Sequence, residues 1–313
     1  MLSVKTSHSI EALFSEYGGS LDEFRAKDNV ETSIEWFELL HTHVYPNHSG
    51  VRYFSVGERD RPSIVMPLRL ERKRRVKTVE PLANYYTSYF SPLYLGQFEP
   101  SLLRSVLTEA CREHGGAHVM RFAPMDPKSP VFNGLVRELR AIGWHPFEFY
   151  CFANWFLDVD FDWEGYLKTR SANLRSTLKR MTTRFLGDGG IFKIYTNHEG
   201  VEEAIAAYQD VYQASWKIPE PYPEFVPALI RLLASNGMLR LGIAYLNGKP
   251  VAAQLWIVGN GKASIFKVAY NENFKNFSPG TILTGCLMRH VIDQDHVQGN
   301  RMNANVVDSR NSG

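Results

Sequence analysis

The segment NFSPGTIL, residues 276–283, joins a strand-rich region to a long apolar stretch. Serine before a helix can accept a hydrogen bond from an amide of the first turn, and proline is favoured within that turn. Ser278 and Pro279 therefore predict a helix start, as they do in many helices that bind nothing. Gly280 and Thr281 leave the first turn without bulky side chains. Its backbone N–H groups can then approach an anion, which the helix dipole also favours. The segment indicates a phosphate-binding helix start.

A similar segment, YFSPLYLG, occupies residues 89–96. Each Phe-Ser-Pro follows a predicted strand meander and precedes a predicted helix, so the chain repeats one order of elements. We interpret this repeat as a tandem duplication. In the first copy Leu93, Tyr94 and Leu95 take the place of the small residues and would cover the helix amides with apolar bulk. We expect the first copy to bind no phosphate.

The second half of the chain shows the clearest strand pattern. The segments MLRLGIAYL, PVAAQLWIV and ASIFKVAY predict three strands, and Asn247-Gly248 between the first two is a strong hairpin signal. Residues 162–185 predict one helix, and the aromatic run at residues 146–159 predicts a long buried strand. The predicted fold is α/β (α+β), with tandem duplicated domains that each form a mixed, mostly antiparallel sheet flanked by helices. We place the domains at residues 1–153 and 154–296, followed by a polar, disordered tail at 297–313.

The composition is that of a globular protein. Of the 313 residues 44% are hydrophobic and 22% charged, and the net charge of +2 is too small to argue for nucleic acid or membrane. The N-terminus lacks an apolar signal core and no stretch is apolar enough to span a bilayer, so we expect a cytoplasmic protein. Three scattered cysteines and the dispersed histidines form no recognised ligand pattern, and we predict no metal.

Four segments resemble a known family. They are YLKTRSANLRSTLKR, YQASWK, NGMLRLGIAYLNGKPVAAQLWIV and ASIFKVAYNENFKNFSPGTIL. Together they resemble the FemAB/FemX-like branch of the Gcn5-related N-acetyltransferase (GNAT) superfamily, including CelD/BcsL-like acetyltransferases of polysaccharide loci, over roughly residues 30–292. The resemblance implies two tandem acetyltransferase-like domains, of which the first is a non-catalytic copy. It implies acyl-CoA, such as acetyl-CoA, bound by the second domain at Ser278, Gly280 and Thr281, with the acceptor in the cleft between the domains.

The end of the chain departs from the family. Family members continue beyond the last helix into further strands, whereas residues 298–313 read QGNRMNANVVDSRNSG, which is polar and rich in asparagine. No alternating pattern of sufficient length replaces those strands. We therefore expect a second domain truncated at its C-terminus, with an exposed sheet edge and uncertain catalytic competence.

Three residues at the end of the last predicted strand are catalytic candidates: Lys267, Tyr270 and Glu272. Transfer of an acyl group from a thioester to an amine needs a base or water relay, donors for the carbonyl oxygen and an acid for the thiolate. Because Lys267 and Tyr270 are three residues apart, a regular strand points them to opposite faces. We prefer Tyr270 as the acid, although a tyrosine at a strand end often only packs.

The candidates for substrate binding are Trp216, Lys217, Gln254, Arg175 and Lys179. Trp216 and Lys217 resemble the family's Ser-Trp-Lys stretch beside the acceptor site; Trp216 can equally anchor a helix end. Gln254 stands in an apolar strand, where its amide can hold substrate or pair with a neighbouring loop. Arg175 and Lys179 belong to a basic segment whose cations can bind phosphates of a donor, a nucleotide-linked sugar or tRNA, or remain solvated.

Three functions follow from these observations. The first is an N-acyltransferase that moves an acyl group from acyl-CoA to an amine acceptor, for example an amino-sugar or a precursor of a polysaccharide or the cell envelope. The alternative is an aminoacyl-tRNA-dependent peptidyltransferase of the FemX kind. The third is a truncated, non-catalytic binding module.

Overall fold

A computed structural model describes residues 3–58 and 60–295 in full and residues 300–304 as backbone. The chain divides into two compact units, residues 1–152 and 153–313. This division lies one residue from the boundary expected from the sequence. In the described part of the chain, no helix combines the length and the apolar character needed to cross a membrane.

The first unit contains a sheet in the order β1-β2-β3-β4-β6, with β5 paired to β3. Neighbouring strands are antiparallel except β4 and β6. Its strands are β1 (Ser3–Ser7), β2 (Val51–Gly57), β3 (Pro62–Lys73), β4 (Val76–Pro81), β5 (Leu93–Tyr94) and β6 (Val119–Met120). Its α-helices are α1 (Ile10–Tyr17), α2 (Ile34–His43), α3 (Pro100–Glu113) and α4 (Pro130–Ala141).

The first Phe-Ser-Pro does not start a helix. Leu93 and Tyr94 instead form β5, whose backbone pairs with Val65 and Ile64 of β3, and α3 begins only at Pro100. Leu93 is buried, and it belongs to a strand of this sheet. The expectation that these side chains cover helix amides was therefore wrong, because no helix begins there.

The aromatic run at the junction is also not the long buried strand expected from its sequence. Only its end forms a strand, β7 (Trp155–Val159). Phe147, Phe149 and Tyr150 are between 79% and 84% exposed. Apolar composition alone cannot distinguish a buried strand from an unpaired segment, and the described residues provide no pairing partner before Trp155.

The second unit contains a sheet in the order β7-β12-β11-β10-β9-β8. Its further strands are β8 (Gly190–Tyr195), β9 (Leu239–Leu246), β10 (Lys249–Gly259), β11 (Lys262–Tyr270) and β12 (Asn300–Ala304). Its helices are α5 (Trp163–Thr169), α6 (Ala172–Gly187), α7 (Val201–Gln213), α8 (Phe225–Ser235) and α9 (Pro279–Asp293). Only β11 and β12 pair in parallel. This order matches the predicted mixed, mostly antiparallel sheet.

Residues 300–304 correct the expectation for the C-terminus. They were placed in the polar tail, but they form β12, which pairs antiparallel with β7 and parallel with β11. The sequence hid this strand because it is short and rich in asparagine, and its order comes from ladder bonds on both sides. The edge expected to be exposed is thus partly covered. Residues 297–299 and 305–313 of the predicted tail lie outside the described part.

The single helix predicted over residues 162–185 is two helices. Asp162 caps α5 by accepting from the N–H of Gly165 at 2.7 Å, and Ser171 caps α6 by accepting from the N–H of Leu174 at 3.3 Å. The apolar spacing runs on over both helices, so it did not reveal the break between them. Ser171, a polar residue that can cap, starts the second helix. Met181 and Phe185 of α6 join the core that α9 builds on one face of the sheet.

Glu31 of the first unit gives a pH-dependent prediction. Its carboxylate accepts hydrogen bonds from the N–H of Ser88, at 2.7 Å, and from the Ser88 hydroxyl. Burial raises the pKa of Glu31 to about 7, from 4.5. Between these two pKa values the folded chain keeps a proton that the unfolded chain has lost. The free energy of unfolding therefore falls as pH rises, and this fall is complete once the pH exceeds the pKa of the folded chain.

We expect Glu31→Gln to remove this dependence. Between about pH 5 and about pH 8 we expect wild type to lose about 1–3 kcal/mol of unfolding free energy relative to the variant. Urea unfolding at the two pH values measures it. Parallel stability profiles for the two proteins would show that the carboxyl group titrates normally.

Candidate functional site

The start of α9 differs from the predicted serine cap. Ser278 adopts a left-handed conformation, with φ 50° and ψ 46°, and its side chain makes no capping hydrogen bond. Its carbonyl accepts from the N–H of Ile282 at 3.1 Å. Within residues 3–58 and 60–295, the N–H groups of Gly280 and Thr281 donate no hydrogen bond. These two N–H groups, here called the open amides, belong to a half-buried residue, Gly280, and an exposed one, Thr281.

Gln254 fixes the first turn of α9. It is fully buried on β10 and its Nε2 donates to the carbonyl of Gly280, at 2.9 Å, and to Oγ1 of Thr284, at 2.8 Å. Its Oε1 accepts from Nε1 of Trp256 at 3.0 Å. The expectation that Gln254 binds substrate was wrong, because both amide hydrogens are used within the chain. Its partners lie on α9 and β10, and not on the neighbouring loop that the sequence offered as the alternative.

Gln254→Leu is expected to lower the free energy of unfolding by about 1–3 kcal/mol, because the buried Nε1 of Trp256 loses its acceptor. Chemical denaturation measures the change. Thr284→Ala is the matched control, since it removes one acceptor while Gln254 keeps its bonds to Gly280 and Trp256, and we expect a smaller loss. A Gln254→Leu protein as stable as wild type would rule out the anchoring role.

The end of β11 carries two catalytic candidates on opposite faces. Tyr270 pairs with Ala252, so it shares the α9 face with Gln254, while Lys267 pairs with Leu255 on the other face. This agrees with the spacing prediction. Leu255 pairs with Lys267, and the next residue, Trp256, pairs with Ile265. Phe266 is therefore an extra residue in β11, which makes a β-bulge. Bulges redirect side chains, and this one places Lys267 and Ile265 on different faces.

Tyr270 lies between the start of α9 and the connection from α7 to α8, residues 214–224. A Cβ atom added to Gly280 would lie 3.3 Å from Cδ1 of Tyr270. The ring centroids of Tyr270 and Trp216 are 4.6 Å apart, and Trp216 is 52% exposed. Trp216 therefore does not anchor a helix in the core. Tyr270, Trp216 and the two open amides are neighbours.

A cluster of charged groups occupies the other face. Nζ of Lys267 lies 2.7 Å from Oε1 of Glu220, and both side chains are largely buried. Burial lowers the pKa of Lys267, against the effect of Glu220. Burial, followed by the charge of Lys267, lowers the pKa of Lys217. Burial and Glu220 raise the pKa of Tyr212. Glu220 was not among the predicted site residues, since a glutamate in a proline-rich turn carries no periodic signal.

Glu272 is not brought to this group. It is exposed in the first turn of a 3-10 helix, Glu272–Phe277, which Asn271 caps by accepting from the N–H of Asn273 at 3.0 Å. No hydrogen bond or ion pair links Glu272 to Lys267 or Tyr270 within the described residues. Its catalytic role therefore has no contact to support it.

The basic helix α6 contributes a different cation from those expected. Arg175 and Lys179 are exposed, and within the described residues neither has an acidic partner. Arg184 instead lies over Phe277, with its guanidinium carbon 4.7 Å from the ring centroid, and its Nε is 3.8 Å from Asp188. Arg184 follows Arg175 by two and a half helical turns, roughly half a turn around the axis. The cation beside the start of α9 is therefore Arg184.

One edge of β11 is open next to this group. β12 pairs with β11 at Ser264 and Ile265, and from Val268 to Tyr270 no strand pairs with that edge in the part of the chain that the structure describes. An extended ligand can bind such an edge through main-chain hydrogen bonds. The described residues contain no group of three or more His, Cys, Asp or Glu side chains suited to a metal ion.

Comparison with known proteins identifies the type of domain. Residues 170–299 match the family model of the acetyltransferase (GNAT) domain. FemX is similar in structure, with 10% identity and a TM-score of 0.55 over 96% of this chain and 88% of that chain. A conserved protein of unknown function from Bacteroides thetaiotaomicron shares 11% identity with a TM-score of 0.53, over 96% of this chain and 90% of its own.

A tandem GNAT protein from the clavulanic acid biosynthesis pathway has 12% identity and a TM-score of 0.48 over 98% of this chain and 91% of its own. No curated protein sequence matches the chain. At these identities the structural likeness to FemX shows the fold alone. The family match shows a GNAT domain at residues 170–299, and the likeness to FemX agrees with the expected fold.

Proposed function

We propose, since residues 170–299 match the acetyltransferase (GNAT) domain family, that the second unit moves an acyl group from acyl-CoA to an amine. The observation that carries the proposal is the pair of open amides at Gly280 and Thr281 beside the ring of Tyr270. Acyl transfer needs a bound donor and an acid next to its sulfur, and these residues can supply both.

The donor's pyrophosphate is expected at the start of α9. Two N–H groups and the helix dipole favour an anion there, and the guanidinium group of Arg184, next to Phe277, adds positive charge. The extended arm of CoA carries amide groups that can pair with the open edge of β11 between Val268 and Tyr270. Ser278, Gly280 and Thr281 thus remain the proposed donor site, with Ser278 acting through its backbone.

In the proposed reaction the amine nitrogen forms a bond to the thioester carbonyl carbon and the carbon–sulfur bond breaks. The nitrogen loses a proton to water, and the leaving thiolate takes one from the hydroxyl of Tyr270. This hydroxyl makes no hydrogen bond within the described residues and lies on the α9 face. Lys267 lies on the opposite face and is paired with Glu220, so we assign it to holding the connection from α7 to α8.

The acceptor is proposed to be an amine of an amino-sugar or of a polysaccharide or cell-envelope precursor. The exposed ring of Trp216 offers an apolar surface beside Tyr270, which suits the face of a sugar. The cytoplasmic location expected from the sequence stays part of this proposal.

One observation favours the second candidate, aminoacyl-tRNA-dependent transfer. The cations Lys168, Arg175, Lys179 and Arg180 have no acidic partner within the described residues and lie on or next to α6. Such a surface can contact the phosphates of a nucleic acid. The FemX-like fold fits either donor.

Thermal-shift measurements with CoA, acetyl-CoA and tRNA separate the candidates. A ligand at about 100 times its Kd stabilises the folded protein by about 2.7 kcal/mol. We expect stabilisation by CoA and acetyl-CoA. Stabilisation by tRNA alone would replace the acyl-CoA donor with the second candidate. A protein that responds to none of the three would leave the non-catalytic binding module.

A further inference from the structure

The turn that joins β3 to β4 differs from two other hairpin turns of the chain. It consists of two residues, Arg74 and Arg75, and Arg74 has a φ of 56°, in the left-handed region where glycine or asparagine is usual. The two-residue turns at 247–248 and 260–261 both read Asn-Gly, with asparagine at the left-handed position and φ angles of 49° and 48°. Arginine at this position therefore works against the local backbone preference.

This turn is also the centre of a run of positive charge. Arg72, Lys73, Arg74 and Arg75, here called the basic turn, are all exposed. Within the described residues none of the four forms an ion pair. Side chains of neighbouring strand residues point to opposite faces, so the basic turn presents cations on both faces of the hairpin and at its end.

The acidic residues of the same hairpin do not neutralise the basic turn. The acids of β3 and β4 are Glu71 and Glu80, and both bind Arg69, at 2.6 Å and 2.7 Å. Glu113, the last residue of α3, pairs with Arg52. Each of these carboxylates is thus bound by a cation outside the basic turn, whose four charges remain open to a partner.

Apolar side chains lie next to these charges. Val76 directly follows the basic turn and is 47% exposed, and Val119 of β6, which pairs with Thr78, is 42% exposed. A membrane surface can accept both features, because its anionic head groups bind cations while its interface takes up apolar side chains. Clusters of four or more lysines and arginines are typical of proteins that bind anionic lipids.

The composition of the hairpin end argues against single-stranded nucleic acid as the partner. Proteins that bind single strands usually stack the bases on aromatic side chains. Residues 71–78 read ERKRRVKT and contain no aromatic residue. Cations beside exposed valines therefore fit a lipid surface better than a nucleic acid strand.

We propose that the basic turn docks this protein on an anionic lipid surface. The guanidinium and ammonium groups bind lipid phosphates, and Val76 lies at the interface between head groups and acyl chains. This contact gives a role to an arginine at the left-handed position, where asparagine would strain the backbone less. The proposal concerns the first unit and does not depend on acyl transfer by the second.

Co-sedimentation of the full chain with vesicles tests the proposal. One vesicle preparation is pure phosphatidylcholine and the other contains about 30 mol% phosphatidylglycerol, which supplies the anionic charge. We expect binding to the anionic vesicles alone, weakened at least about fivefold when salt rises from about 0.1 M to about 0.5 M, because salt screens the charges. Equal binding to both preparations, or to neither, overturns the proposal.

The double variant Arg74→Asn/Arg75→Gly gives this turn the sequence of the other two. We expect its melting temperature to be at least that of wild type, since asparagine suits the left-handed position. Its affinity for anionic vesicles is expected to fall by roughly 20- to 30-fold, as each cation contributes about fivefold. Arg74→Lys/Arg75→Lys keeps both charges and is expected to retain most of the affinity. A folded Asn-Gly variant with wild-type affinity overturns the proposal.

The matched control is Lys249→Asn/Lys262→Asn, which removes two exposed cations beside the other two turns. We expect its vesicle affinity to stay within about twofold of wild type, because the basic turn is intact. Equal losses in the two double variants would show that only total charge matters and would overturn the proposal. So would binding of tRNA that the Asn-Gly variant loses, if wild type does not bind anionic vesicles.

Discussion

Gly280→Leu is expected to weaken acetyl-CoA binding by about 10- to 100-fold. A hydrogen bond from an amide to a charged group contributes about 1.5–3 kcal/mol, and we expect a bulky side chain at this position to cost the donor the equivalent of one of its two amide bonds. It also meets the ring of Tyr270, because even a Cβ atom lies 3.3 Å from Cδ1. Isothermal titration calorimetry with acetyl-CoA measures the change in Kd.

The matched control is Thr281→Ala, on the next residue of the same turn. The side chain of Thr281 is exposed and its removal leaves the backbone amides in place, so we expect a Kd within about threefold of wild type. Melting temperatures of both variants verify that α9 remains folded. Wild-type affinity in a folded Gly280→Leu protein would show that the donor binds elsewhere.

Tyr270→Phe is expected to lower the rate of acyl transfer by about 10²–10⁴, the usual contribution of a general acid. The phenyl ring keeps the contacts with Trp216 and with the start of α9, so the variant removes the hydroxyl and little else. Single-turnover thiol release measures the chemical step. We expect the Kd for acetyl-CoA to stay within about twofold of wild type, since the donor's phosphates do not contact this hydroxyl.

Lys267→Met is the comparison for this prediction, because it alters the opposite face of the same strand. We expect it to remove the cation that pairs with Glu220 and to lower stability by about 3 kcal/mol, as the loss of one partner of a buried ion pair does. A Tyr270→Phe protein with an unchanged chemical rate would assign the acid to another group, and the proposed mechanism would then be wrong at this step.

Local patterns predicted much of the second unit. β9 and β10 follow from apolar runs joined by Asn247 and Gly248, whose φ angles of 49° and 78° fit the expected two-residue hairpin. α9 begins at Pro279, as the segment at residues 276–283 predicted. Opposite faces for Lys267 and Tyr270 followed from strand geometry alone. These features are set by residues close together in the sequence, so local patterns are enough to predict them.

Features that depend on distant partners were not predictable. Ser278 is left-handed and does not cap α9, because the preceding 3-10 helix sets its backbone. Gln254 pairs with Gly280 and Glu220 with Lys267, and each pair joins separate elements. Arg184 was distinguished from the other cations of α6 only by its position over Phe277. Asparagine-rich β12 is ordered by the strands on either side of it.

A crystal structure of the protein with CoA would show directly whether the start of α9 binds the donor. We predict pyrophosphate oxygens within hydrogen-bonding distance, about 3 Å, of the N–H groups of Gly280 and Thr281, with the sulfur atom beside the hydroxyl of Tyr270. A structure in which CoA binds while both amides face solvent, or in which its phosphates lie at another part of the chain, would contradict it.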